Sequence, residues 1–145
     1  MIYQWKEASF IKSDAQKAGA VFEKLESTVG LTPKSLLNAS RPEDAPLHSE
    51  FEWDDNAAAE KFREAQAGHL IRCICVKPEE AKAQPIRAYF KVEESTYSNI
   101  AIIQADSEKM SSLLDIAKKE LAAFEKKYQA LKELQPVFDA IKEVV

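Results

Sequence analysis

Apolar residues in the first third of the chain recur at helical intervals. Ala18, Val21, Phe22, Leu25 and Val29 fit the i, i+3, i+4, i+7 rhythm of one buried helix face. Ser13 or Asp14 can cap that helix, which should run to about Thr28, and Gly30 is placed to end it in the left-handed conformation. Thr32 followed by Pro33 is a cap-then-first-turn signature. A short second helix is therefore expected from Pro33 to about Ala39, with Leu36 and Leu37 inward. Ahead of the pair, Ile2 to Trp5 reads as an edge strand or an extended arm. A proline-containing loop, Arg41 to Leu47, leads to a third helix from Asn56 to roughly Gly68 or Leu70. Asp54 or Asp55 would cap it, and Ala58, Phe62, Ala65 and His69 would form its apolar stripe.

The period then changes. Leu70 to Val76, Ile86 to Val92 and Tyr97 to Ile103 read as strands, with Arg87 and Lys91 alternating against apolar neighbours. The simplest arrangement is an antiparallel meander of about three strands. Beyond it the helical rhythm returns. Asp106 or Ser107 can cap a long helix in which Met110, Leu114, Ala117, Leu121, Phe124, Tyr128 and Leu131 alternate at spacings of four and three, a heptad seam. The seam is expected to pack across the sheet of its own domain, with self-association through this helix as the alternative. Pro136 should kink or end the helix near Gln135 and start a last short helix, Val137 to Val145. The fold class is thus α+β. A single domain over 1–145 is expected, with a mainly helical half (1–70), a small antiparallel sheet (71–103) and a helical tail (106–145).

Composition narrows the possible functions. A chain of 145 residues that is 46% hydrophobic and 30% charged can bury a core without disulfides or metal. With 3 glycines it has little material for a glycine-cradled phosphate site. No apolar run approaches the length of a membrane span, and Met1 to Phe10 does not read as a signal peptide, so no membrane partner and a cytoplasmic setting are expected. Cys73 and Cys75 are too close for a comfortable disulfide, and are expected as reduced, buried residues on one face of a strand. The net charge of -4 is concentrated between Leu31 and Leu70, where Glu43, Asp44, Glu50, Glu52, Asp54, Asp55, Glu60 and Glu64 outweigh Lys34, Arg41, Lys61 and Arg63. No local basic excess marks a duplex-binding surface.

Three groups of residues could carry chemistry or binding. His48, Glu50, Glu52, Asp54 and Asp55 hold oxygen and nitrogen donors suited to a divalent cation, and with it a metal-dependent nuclease or hydrolase. Their spacing matches no metal motif, however. Asp54 and Asp55 have an adequate role as helix caps, Glu50 and Glu52 would line the wet side of an extended segment, and His48 reads as a hydrogen-bonded structural histidine. Neither a metal, a cofactor nor a catalytic residue is assigned on this basis. On the following helix, Glu60 and Arg63 can pair across one turn of a solvated face, or Arg63 can reach the acidic cluster or a partner. His69, on the apolar stripe, is expected to be buried or half-buried. Finally, the first two helices have the outline of a DNA-reading pair over about 14–40, presenting Lys34, Ser35, Asn38 and Arg41.

A longer pattern runs through the acidic region. Leu31-Thr32-Pro33, Pro46-Leu47-His48, Phe51-Glu52-Trp53-Asp54-Asp55, Ala58-Ala59-Glu60, Arg63, Gln66-Ala67 and Leu70-Ile71-Arg72 resemble the motif of a family of small proteins encoded by bacteriophages, prophages and related mobile elements. Tyr3 to Glu7 and Lys12 to Gly19 resemble phage versions too, so the likeness covers roughly the first half of the chain. Many members have a basic residue where this chain has Gly68, which puts any partner contact of that residue in doubt. The resemblance implies a bacterial cytoplasm and a role in a phage or mobile-element programme, and it supplies no activity and no catalytic residue. The expectation that follows is an accessory protein with a protein partner. Its candidate binding residues are His48, Phe51, Glu52, Trp53, Asp54, Asp55, Glu60, Arg63 and Gln66.

Overall fold

The computed structural model describes residues 1–55 and 59–145. Contacts gather the chain into two compact units, Met1–Ile102 and Ile103–Val145.

In the first unit, α1 (Ala15–Ser27) begins at Asp14, whose carboxylate accepts from the Lys17 N–H. It closes where Gly30, at φ 89°, returns its N–H to the Leu25 carbonyl. Ala18, Gly19 and Phe22 are buried, whereas Val29 lies past the last turn and is exposed, contrary to the expected stripe. The helix α2 (Pro33–Ser40) is fixed by a reciprocal cap: Thr32 Oγ1 accepts from Ser35 N–H, and Ser35 Oγ accepts from Thr32 N–H. Leu36 and Leu37 face the core as expected, and α2 packs on α3 (Ala59–Cys73).

The course of α3 departs from expectation twice. Its anticipated start, Asn56 to Ala58, lies outside the described residues. Its buried face is formed by Ala59, Arg63, Ala67, Leu70 and Ile71, with Gly68 beside them, while Phe62, Ala65 and His69 are exposed. The helix also continues through Leu70 to Cys73, where a strand was expected. A short apolar run suits a buried helix end as well as a strand. Cys73 therefore closes a helix while Cys75 sits in a strand, so the two do not share a strand face, although both are buried.

Three short strands form an antiparallel sheet in the order β1 (Tyr3–Trp5), β2 (Ile74–Val76), β3 (Ile86–Arg87). Register sets Tyr3 against Val76 and Cys75 against Arg87, and β1 is an edge strand. The expected strand Ile86 to Val92 is interrupted at Ala88. Its N–H donates to Ile74 and its carbonyl accepts from Ile100, so this one residue joins two sheets. The second sheet pairs β4 (Tyr89–Lys91) with β5 (Tyr97–Asn99). The strand expected to reach Ile103 stops at Asn99, whose side-chain oxygen accepts from Ala101 N–H and opens α4 (Ile100–Ala105).

The core gathers Tyr3, Phe22, Leu31, Leu36, Leu37, Leu47, Ile71, Ile74, Tyr89 and Tyr97. Phe22 meets the Tyr89 ring edge-on at 5.5 Å. Tyr3 lies so close to α1 that a Cβ on Gly19 would stand 2.1 Å from its ring. The Tyr3 hydroxyl donates to Glu23 at 2.6 Å and accepts from Asn99 at 3.3 Å, joining the two ends of this unit.

In the second unit, α5 (Ser107–Tyr128) starts at Asp106, which accepts from the Glu108 and Lys109 N–H groups. The helix ends at Tyr128, ahead of the expected break near Gln135, because Leu131 turns to extended backbone at ψ 94°. α6 (Gln135–Val144) carries Pro136 in its first turn, where a missing N–H costs nothing. It folds back on α5: Phe138 approaches Phe124 at 6.4 Å, and Lys142 Nζ lies 3.8 Å from Glu125. The turn must precede Pro136 for this apolar face to reach Phe124. No residue of α5 is buried. Among the described residues no helix is long and apolar enough to cross a membrane.

Candidate functional site

The motif residues converge on one buried cation. Arg63, 4% exposed, sits mid-face on α3, where a solvated side chain was one expectation. Its Nε donates to the Glu52 carbonyl, and one terminal nitrogen donates to the Asp54 carbonyl at 3.1 Å and to the Asp55 carboxylate at 3.3 Å. The other terminal nitrogen lies 3.6 Å from Glu60, which is itself paired with Arg41. The guanidinium also faces the Trp53 ring at 5.2 Å. Burying a cation is costly unless its donors are used, and here two of the acceptors are backbone carbonyls. A planar five-donor fork meets that demand, which an ammonium cannot.

Trp53 is also held by His48. The His48 ring stacks on it at 4.6 Å and 8°, and Trp53 Nε1 donates to the His48 carbonyl at 2.8 Å. His48 lies in a 3-10 turn, His48–Glu50, placed by the buried Leu47. Its Nδ1 is 2.8 Å from the Ser40 carbonyl at the end of α2, which assigns the proton to Nδ1, since a carbonyl only accepts. Phe51 is buried, in extended backbone, 5.7 Å from Trp53. Gln66 accepts from the Glu52 N–H at 3.2 Å. His48 is thus hydrogen-bonded, as the sequence suggested, and its stacking on Trp53 is a feature the structure adds.

The carboxylates do not meet at a common point. Glu50 Oε1 accepts from Lys12 N–H at 3.0 Å and from the Ser13 N–H and hydroxyl, each at 2.7 Å, which ties the turn to the start of α1. Glu52 Oε1 accepts from Asp54 N–H at 3.1 Å, and Asp55 is 95% exposed beside Arg63. Among the described residues no group of three metal-ligating side chains is assembled. The arrangement can hold a turn rigid and present Glu52, Asp54 and Asp55 to solvent.

The helix-pair residues are largely engaged within the fold. Ser35 is spent on the Thr32 cap and on the Gly30 carbonyl at 2.7 Å. Asn38 accepts from Arg41 Nε at 3.1 Å, and Arg41 reaches Glu60. Lys34 points outward. The expected burial of His69 fails: it is exposed on the outer face of α3, with Cys73 Sγ 3.6 Å from Nε2. Burial pushes the Cys73 and Cys75 thiols above their ordinary range.

Sequence reasoning did not find Ser40 or Ser13, whose roles as partners of His48 and Glu50 depend on loop closure. The contact of Arg63 with Trp53 went unseen too, because the apolar stripe read from the sequence left Arg63 on a solvated face. No protein-family model, curated protein or solved structure matches this chain.

Proposed function

We propose that this is a non-enzymatic binding protein that acts through protein–protein contacts, with the turn His48 to Asp55 as its contact surface. One observation carries the reading. The buried Arg63 spends donors on the carbonyls of Glu52 and Asp54, and so fixes a turn in which Glu52, Asp54 and Asp55 are exposed. A cation used this way stabilises one backbone shape, and the side chains left over are the acidic ones. The partner suited to that surface is basic. The motif resemblance supports a setting in the cytoplasm of a bacterial host and a role as an accessory protein of phage or prophage origin.

The test compares capture from bacterial lysate by wild type and by the charge reversals Glu52→Lys and Asp54→Lys. These sites are exposed, so folding should survive, and far-UV circular dichroism checks it. A partner retained by wild type and lost by both variants supports the reading. An unchanged set of captured proteins overturns it. Turnover of a nucleotide or cleavage of DNA by the purified chain, abolished by Asp54→Ala, would also overturn it.

A further inference from the structure

The second unit is a lopsided hairpin: α5 has 22 residues and α6 only 10. At about 1.5 Å per residue, α6 spans less than half of α5. It lies along the flank that carries Glu125, through Phe138 on Phe124 and Lys142 on Glu125. The seam beside it stays open, with Leu114, Leu121 and Phe124 at 51%, 37% and 38% exposure. The opposite flank consists of the residues just before Leu114, Leu121 and Tyr128, namely Leu113, Glu120 and Lys127. Among the described residues neither Glu120 nor Lys127 is in an ion pair.

The geometry points to a second copy of this chain as the occupant of that seam, with the two α5 helices antiparallel about a two-fold axis. Heptad seams pair with like seams, and flanking charges choose the direction. With the helices antiparallel and Leu121 opposite the second copy's Phe124, Ala117 faces Tyr128, small against large. Glu120 then faces Lys127, and the two-fold axis repeats that pair. With the helices parallel, Glu120 would face Glu125 and Leu113 would face Lys118. The charge pattern thus favours one orientation and opposes the other.

Sedimentation equilibrium of the full chain tests this. The expected species is twice the 16.3 kDa chain mass. Glu120→Lys and Lys127→Glu should each weaken self-association by about tenfold or more, and the double exchange should restore it. Within one chain these positions are two turns apart, so restoration reports a contact between copies. Lys126→Glu, on the outward side of α5, should leave association unchanged. Far-UV circular dichroism confirms that each variant stays helical. A wild type that stays monomeric at hundreds of micromolar overturns the proposal. So does a double exchange as weak as the single ones, or a Lys126→Glu variant as weak as Lys127→Glu.

Discussion

Arg63 occupies the buried face of α3, where an apolar side chain is the ordinary occupant. Its neighbours on the buried face, Ala59, Ala67 and Gly68, are small, so that face carries little hydrophobicity to reveal it. The guanidinium supplies there what an apolar group could not, donors for the Glu52 and Asp54 carbonyls of the acidic turn. Arg63→Ala leaves those carbonyls without their partner and should cost about 2–4 kcal/mol in urea unfolding. Arg63→Lys should recover little of the loss, because one ammonium cannot span Nε and terminal-nitrogen positions together. Recovery by lysine would show that charge alone matters here. Gly19 is the second position where a single atom decides. A methyl group there meets the Tyr3 ring at 2.1 Å, so Gly19→Ala should destabilise by roughly 1–3 kcal/mol despite its better helix propensity. A more stable variant in thermal melts would refute the close packing. The clash was invisible in the sequence, because it joins residues from two elements.

At the scale of elements, the caps and the face of α2 were legible and the face of α3 was not. Asp14, Gly30, Thr32 with Pro33, and Asp106 each act within a few residues of themselves, and each stands where its chemistry placed it. The face of α3 was misread because Phe62 is large and apolar yet 56% exposed, while the contact with α2 is made by small residues. Phe62→Ala should therefore change stability by no more than about 0.5 kcal/mol. Ile71→Ala should cost about 2–5 kcal/mol. The reverse order in urea titrations would restore the stripe that the periodicity suggested. The strands failed for another reason. A run such as Ile86 to Val92 has no local mark of a sheet change, and the break at Ala88 is set by hydrogen bonds to Ile74 and Ile100. At the candidate site, the motif gathered His48, Trp53, Asp55, Glu60 and Arg63, and one reading took Arg63 to the acidic cluster; what the sequence did not show was its burial.

At the scale of the molecule, the α+β class stands and the chain divides into two units, one of which holds both sheets. The Tyr3 hydroxyl bridges Glu23 and Asn99 across the first unit, and the Tyr89 ring lies in the same core. Burial pushes Tyr89 up to about 12 and Tyr3 higher still, so the folded chain holds protons that the unfolded chain releases near pH 10. Their contribution is complete below pH 10 and is lost as pH climbs toward 12 and beyond. The urea midpoint should fall over that range, and Tyr89→Phe should flatten the fall; an equally steep variant would remove Tyr89 as the cause. The bond between Tyr3 and Asn99 has a consequence for synthesis on the ribosome. The first strand leaves the exit tunnel long before Ile74 and Asn99 exist, so it has no strand to pair with, and the Tyr3 hydroxyl lacks the Asn99 amide, while α1 and α2 are emerging. Closure of this unit waits for almost its whole length, and until then an apolar strand stands open to other chains.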